Sequence, residues 1–216
     1  MNDFENLAPI DCHTFLGNWA FRALRRNSPS ELVAMMDRFG IAKACVASAD
    51  AILHRNPQPA NQILYETTRP YEKRFMLYAT INPTYPGWQR DLDHCADLGF
   101  KAVRIYPNYH NYDLTDNYAG QLAEAVAEAG LCLSVATRVE DFRQRHWLDT
   151  VEEVPFQKIV ALVEKHPRGK YLVLDAYVTL PAQDPLWERL RALPIHFDLS
   201  RMTACLDDPL GQILSQ

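Results

Sequence analysis

Short apolar runs recur along this chain about every 30 residues, the length of a strand, a helix and their connections, and helical stretches fill the gaps between them. Strands alternating with helices make a mostly parallel sheet joined by crossover connections. Seven such runs can be counted in the 216 residues, at 8–13, 41–49, 74–82, 101–106, 131–138, 171–176 and 195–200. The first helix is clearly punctuated: Ser28 at the N-cap, Pro29 at the first helical position and Gly40 just past the end. Further helices are expected near 60–72, 86–98, 115–129, 155–166 and 184–193, and the tail 206–216 reads as the start of a seventh. A long charged loop, 139–154, follows the fifth strand. No linker divides the chain, so one domain over 1–216 is expected.

Seven units suit either an open doubly wound sheet or a barrel. Strands of an open α/β sheet are covered on both faces and tend to be continuously apolar. Here one face of many strands is polar. Val103 and Ile105 alternate with Arg104 and Tyr106; Leu133 and Val135 alternate with Ser134 and Ala136; Ile195, Phe197 and Leu199 alternate with His196, Asp198 and Ser200. Helices must cover the apolar face, so the polar face points into a lumen. The expected fold is α/β, a (β/α)8 TIM-barrel type with seven βα units and the eighth strand missing. That leaves open edges on the first and seventh strands. A fragment of a longer product, an open barrel covered by its own terminal segments, and a second subunit over the gap all answer this. The helical character of 211–216 favours truncation.

Composition narrows the partners. The chain is 48% hydrophobic and 23% charged, with net charge −5 and no basic patch, which argues against nucleic acid and anionic membrane surfaces. The apolar runs are too short to span a bilayer, and the acidic N-terminus has no apolar signal core, so a cytoplasmic location is expected. Cys12, Cys45, Cys95, Cys132 and Cys205 form no CxxC pair and read as buried, reduced thiols.

Barrel active sites lie at the C-terminal ends of the strands. Strict alternation puts Asp11, His13, Ser48, Asp50, Thr80, Asn82, Arg104, Tyr106, Ser134, Arg138, Asp175, His196 and Asp198 on the lumenal face. Histidine beside aspartate suits general acid–base work, which makes His13, Asp11, His196, Asp198 and Asp175 the catalytic candidates. Guanidinium groups bind carboxylates bidentately, which makes Arg104 and Arg138, with Tyr106, the substrate-binding candidates. Asp141 and His146, in the loop after the fifth strand, are candidates for a lid pair over the cavity. A satisfied polar layer plugging the barrel mouth, and a solvated surface loop, are the structural alternatives. His54, His94, His110 and His166 sit in helices or connections and receive no role; Trp19, Trp88 and Trp187 read as packing residues.

The segment Pro9-Ile10-Asp11-Cys12-His13-Thr14-Phe15 resembles the opening D-x-H-x-H strand of the amidohydrolase-related TIM-barrel hydrolases. Gly99-Phe100-Lys101-Ala102-Val103-Arg104-Ile105-Tyr106-Pro107 resembles their fourth-strand signature. Asn82-Pro83, Gly130-Leu131 and Phe197-Asp198-Leu199-Ser200 fit the same pattern. The resemblance implies a metal-dependent hydrolase, or a decarboxylase of small aromatic or unsaturated acids. It also implies zinc or another divalent metal held by two strand-one histidines, a histidine ending strand five and a strand-eight aspartate.

This chain departs from that ligand set. His13 matches the first histidine, but Phe15 stands at the second, the strand-five position falls near Ala136, and the strand-eight aspartate has no counterpart. The expected cofactor is therefore none, with a metal at His13 only as the resemblance implies. The expected function is a hydrolase acting on a small carboxylated or carbonyl substrate without the usual complete metal site. A non-catalytic relative binding a ligand or partner chain, and a metal-dependent decarboxylase-like enzyme, are the alternatives. The expected partners are a small-molecule substrate and a second copy covering the open barrel edge.

Overall fold

The computed structural model describes residues 9–176, 184–198 and 200. The expected tail helix at 206–216, Cys205, and the ends of the first and seventh runs at Ala8 and Leu199 lie outside them. Seven strands form one sheet: β1 (Ile10–Leu16), β2 (Lys43–Ser48), β3 (Phe75–Thr80), β4 (Ala102–Ile105), β5 (Cys132–Ala136), β6 (Lys170–Leu174) and β7 (Ile195–Phe197). They lie in sequence order and every neighbouring pair is parallel. Helices α1 (Pro29–Phe39), α2 (Gln58–Thr68), α3 (Trp88–Asp97), α4 (Asn117–Glu128), α5 (Phe156–Lys165) and α6 (Leu186–Arg191) fill the connections. Helix α1 starts and stops where Ser28, Pro29 and Gly40 predict, with Gly40 left-handed at φ 67°. Among the described helices none is long and apolar enough to cross a membrane.

The sheet is curled. Flat, β1 and β7 would stand six strand spacings apart, about 29 Å. Instead His13 of β1 and Asp198, just past β7, approach to 3.6 Å. Likewise Arg104 of β4 donates to carbonyls of β1, three strands away. The strands therefore form a TIM-type barrel that, over the described residues, is open between β1 and β7. The helices cover its outside. Val46, Val103, Leu133 and Val173 pack there against Leu32, Met36, Leu122, Ile159 and Val163. Each fully buried aliphatic side chain contributes about 1.5–3 kcal/mol.

The lumen differs from the expected polar face in two ways. Its lower part is filled by Cys12, Phe15, Cys45, Ala47, Tyr78, Cys132 and Leu172, so on β2 the inward residues are Cys45 and Ala47, and Ser48 has the opposite parity. Polar side chains form a narrower band, with Thr80, Arg104 and Ser134 in register and wholly buried. Second, β1 does not alternate strictly. Asp11 pairs with Ala44 but Thr14 pairs with Val46, so Cys12 and His13 together oppose Cys45. This bulge turns Cys12 and Phe15 into the lumen. Cys12, Cys45, Cys95 and Cys132 are free. Burial pushes the Cys12 and Cys132 thiols up to about 11, which keeps them protonated at neutral pH.

Candidate functional site

The site is built toward the C-terminal mouth from the bulge within β1 and the residues just past β5, β6 and β7. His13 stands in the β1 bulge, its backbone N–H donating to the Asp11 carboxylate at 3.0 Å. Asp11 is thereby engaged by the backbone of its own strand. The His13 ring lies beside Phe15, with centroids 5.5 Å apart. Its Nδ1 faces Asp198 Oδ2 across the open seam at 3.6 Å, and its Nε2 is buried without a hydrogen-bond partner among the described residues.

Asp198 is only 6% exposed. It accepts the Asp175 backbone N–H at 2.9 Å and the Ser200 hydroxyl at 2.7 Å. Burial alone would raise its pKa; the interactions from His13, Ser200 and the Asp175 amide outweigh burial and hold it below the usual carboxylate range. The carboxylate is thus kept ionised beside the imidazole. Asp175 directly follows β6 in the left-handed region at φ 55°, which aspartate tolerates better than most residues. Its carboxylate accepts from Arg138 Nε, and its carbonyl accepts the Thr137 hydroxyl at 2.7 Å. Arg138 also faces Asp141 at 3.5 Å and Glu153 at 3.6 Å. Desolvation disfavours its charge, but these carboxylates, Asp175 first, outweigh that and raise its pKa.

The remaining expected residues are distributed differently. Arg104 is wholly buried beneath the mouth. Its terminal nitrogens donate to Thr14 O at 3.2 Å and Cys12 O at 2.8 Å, and its guanidinium lies between the rings of Phe15 and Tyr78. Tyr106 is also buried, in a cluster with Trp19, Ile52, Ala136 and Leu174 that roofs this band. His196, in register with Leu172, is exposed because its strand borders the open seam. Asp141 and His146 do not form a pair. The Asp141 carboxylate forks with Arg143 at 3.0 and 2.8 Å, which pulls its pKa well below the usual range. His146 stacks between Phe21 and Trp147, with centroids at 5.6 and 5.8 Å.

Two features had no local sequence signal. The loop after β1 meets the loop after β5 through the Arg22–Glu140 ion pair at 2.9 Å and the Phe21–His146 stack. His110, in the loop after β4, is buried edge-on to Tyr106, and burial brings its pKa down to about 4 against a weaker opposing pull from the backbone of Ala51 and Ile52. Both join segments far apart in sequence.

Among the described residues, the side chains at two of the expected ligand positions do not fit the metal centre that the family pattern implies. Phe15 packs over Arg104, and Ala136 packs among Trp19, Tyr106 and Leu174. Among the described residues no group of three His, Cys, Asp or Glu side chains is arranged to hold a metal ion.

No family model and no curated protein matches the chain. Solved structures do. A 2,6-dihydroxybenzoate decarboxylase from Rhizobium is 15% identical with a TM-score of 0.61, the match covering 88% of this chain and 79% of that one. A probable 2-pyrone-4,6-dicarboxylic acid hydrolase from Acinetobacter baumannii, with citric acid bound, is 11% identical with a TM-score of 0.59, covering 91% and 72%. A 5-carboxyvanillate decarboxylase from Novosphingobium aromaticivorans, with bound manganese, is 20% identical with a TM-score of 0.51, covering 66% of this chain and 48% of that one. At these identities the likeness is one of fold: the chain has a TIM-barrel architecture.

Proposed function

We propose that this amidohydrolase-type barrel is a hydrolase-like enzyme acting on a small carboxylated or carbonyl substrate without the family's complete metal centre. The pairing of His13 with Asp198 across the open seam carries the reading. Asp198 favours a proton on His13 Nδ1, leaving Nε2 to accept one from water. The water oxygen bonds to the substrate carbonyl carbon as the carbon–oxygen bond of an ester or lactone breaks. Nε2 returns its proton to the departing oxygen, so no proton is gained or lost. Asp198 stabilises the transient imidazolium. Arg138 receives the substrate carboxylate in place of Glu153, the most exposed of its three carboxylate partners. Asp175 holds the guanidinium in place, Arg104 and Tyr106 form the floor, and Asp141, His146 and His196 border the entrance.

The test is a panel of carboxylated lactones and esters, with carbon dioxide release followed on carboxylated aromatics because two of the similar structures are decarboxylases. Replacing His13 with Gln should lower kcat about 10²–10⁴-fold, and Asp198→Asn should lower it less. Arg138→Met should act mainly on KM. Wild-type protein without turnover, or His13→Gln at the wild-type rate, overturns the proposal. Stoichiometric zinc or manganese in active protein would overturn its metal-free part. A ligand-binding barrel is the second reading, favoured by the packing of Phe15 and Ala136 where metal ligands would stand; binding lost in Arg138→Met without any turnover would support it. A cytoplasmic setting fits the free thiols, and a second copy over the edge between β1 and β7 is the partner this reading favours.

A further inference from the structure

Arg104 is a fully buried cation with no carboxylate within ion-pair distance among the described residues. Burying a guanidinium costs several kcal/mol unless its donors are used. Two of them are used on one object, the β1 bulge. Nη2 donates to the carbonyl just before His13 and Nη1 to the carbonyl just after it, at 2.8 and 3.2 Å. The Asp11 carboxylate takes the N–H of His13 itself. The bulge that carries the imidazole is therefore fixed on both sides, from its own strand and from β4 across the lumen. The rings of Phe15 and Tyr78, 5.4 and 5.0 Å from the guanidinium carbon, hold the clamp in place.

We infer that Arg104 is a positioning residue, which grips the carbonyls of Cys12 and Thr14 so that the His13 imidazole faces Asp198. A bulge is a local irregularity in the ladder, and without the grip both carbonyls lose a charged donor in a buried setting. The bulge then relaxes toward regular pairing, and a regular strand aims His13 elsewhere. The catalytic consequence rests on the proposed function; the orientation of His13 does not.

Nuclear magnetic resonance of ring-¹⁵N-labelled histidine tests the grip with no substrate present, at a pH where His13 is neutral. Wild type should show His13 mainly protonated at Nδ1. Asp198→Asn should abolish that preference and serve as the reference. Arg104→Met should lower the ratio of Nδ1–H to Nε2–H at least about tenfold, the effect of losing one charge-assisted hydrogen bond. Arg104→Lys, which keeps one charged donor, should restore part of it. A merely structural role would lower the melting temperature and leave the tautomer ratio of the folded fraction unchanged. A folded Arg104→Met protein with the wild-type ratio overturns the inference. Should Arg104→Met not fold, Arg104→Gln, which carries no charged donor, with the wild-type ratio overturns it equally. Loss of the ratio in a wild-type background that turns over nothing would retain Arg104 as the clamp and reject the hydrolytic reading alone.

Discussion

Acidifying this protein from pH 7.5 to 5 should cost it about 2 kcal/mol of stability through one residue, His110. The ring is 6% exposed, lies edge-on to Tyr106 with centroids 6.3 Å apart, and its pKa is brought down to about 4, chiefly by burial. In the unfolded chain it returns to about 6.5. Between those values the unfolded state binds a proton that the folded state refuses, so stability is full above pH 6.5, falls as the pH drops, and is lost by pH 4. The gap of about 2.5 pH units, at about 1.36 kcal/mol each, amounts to roughly 3 kcal/mol over the whole window and to about 2 kcal/mol by pH 5. Asp198, whose pKa is depressed, loses its stabilising charge only below the unfolded carboxylate value of about 3.9, outside this window. Urea unfolding at pH 7.5, 6 and 5 measures the loss. The same series on His110→Gln, which has no titrating ring, should be flatter by that amount even if the variant is less stable at every pH. Equal slopes for the two proteins would exclude His110 as the source of the loss.

Two further outcomes test the fold around the mouth. Gly17 has φ +91°, and a Cβ there would fall 2.0 Å from the Asp50 carboxylate oxygen that accepts the Asn18 N–H; Gly17→Ala should therefore lower unfolding stability by about 1–3 kcal/mol by urea titration. Arg74 ties the start of β2 to α1 through Ala42 O, Ile41 O and Asp37, and Arg74→Met should cost about 1–3 kcal/mol; hydrogen exchange should quicken in 41–44, and unchanged protection there would count against the clamp.

The cadence was legible because each strand and helix carries its own period and punctuation. Ser28, Pro29 and Gly40 bound α1 through local capping chemistry, and each strand lies within one or two residues of its apolar run except β1, which starts at Ile10 and runs on to Leu16, and β7, which ends at Phe197, three residues before the run does. The inward parity of Arg104 and Ser134 was legible for the same reason. What failed at β1 was the assumption of unbroken alternation. One extra residue in the bulge breaks the period, so Cys12 enters the lumen together with Phe15, which has the opposite parity. The destination of Arg104 was hidden too. Its sequence neighbours say that it faces inward, but only the curl of the sheet brings the carbonyls of Cys12 and Thr14 within its reach.

The amino-acid sequence alone carried the alternation of strand and helix, the order of the strands and the inward face of β4 and β5, but not that of β2, where Cys45 and Ala47 rather than Ser48 point inward. These follow from short-range stereochemistry and from apolar spacing. Which side chains meet at the mouth depends on the folded sheet: His13 with Asp198, Arg138 with Asp175, and Phe21 with His146. Each pair joins chain segments separated by tens of residues or more, and its geometry depends on how far the sheet curls and where β1 bulges. No local period encodes either.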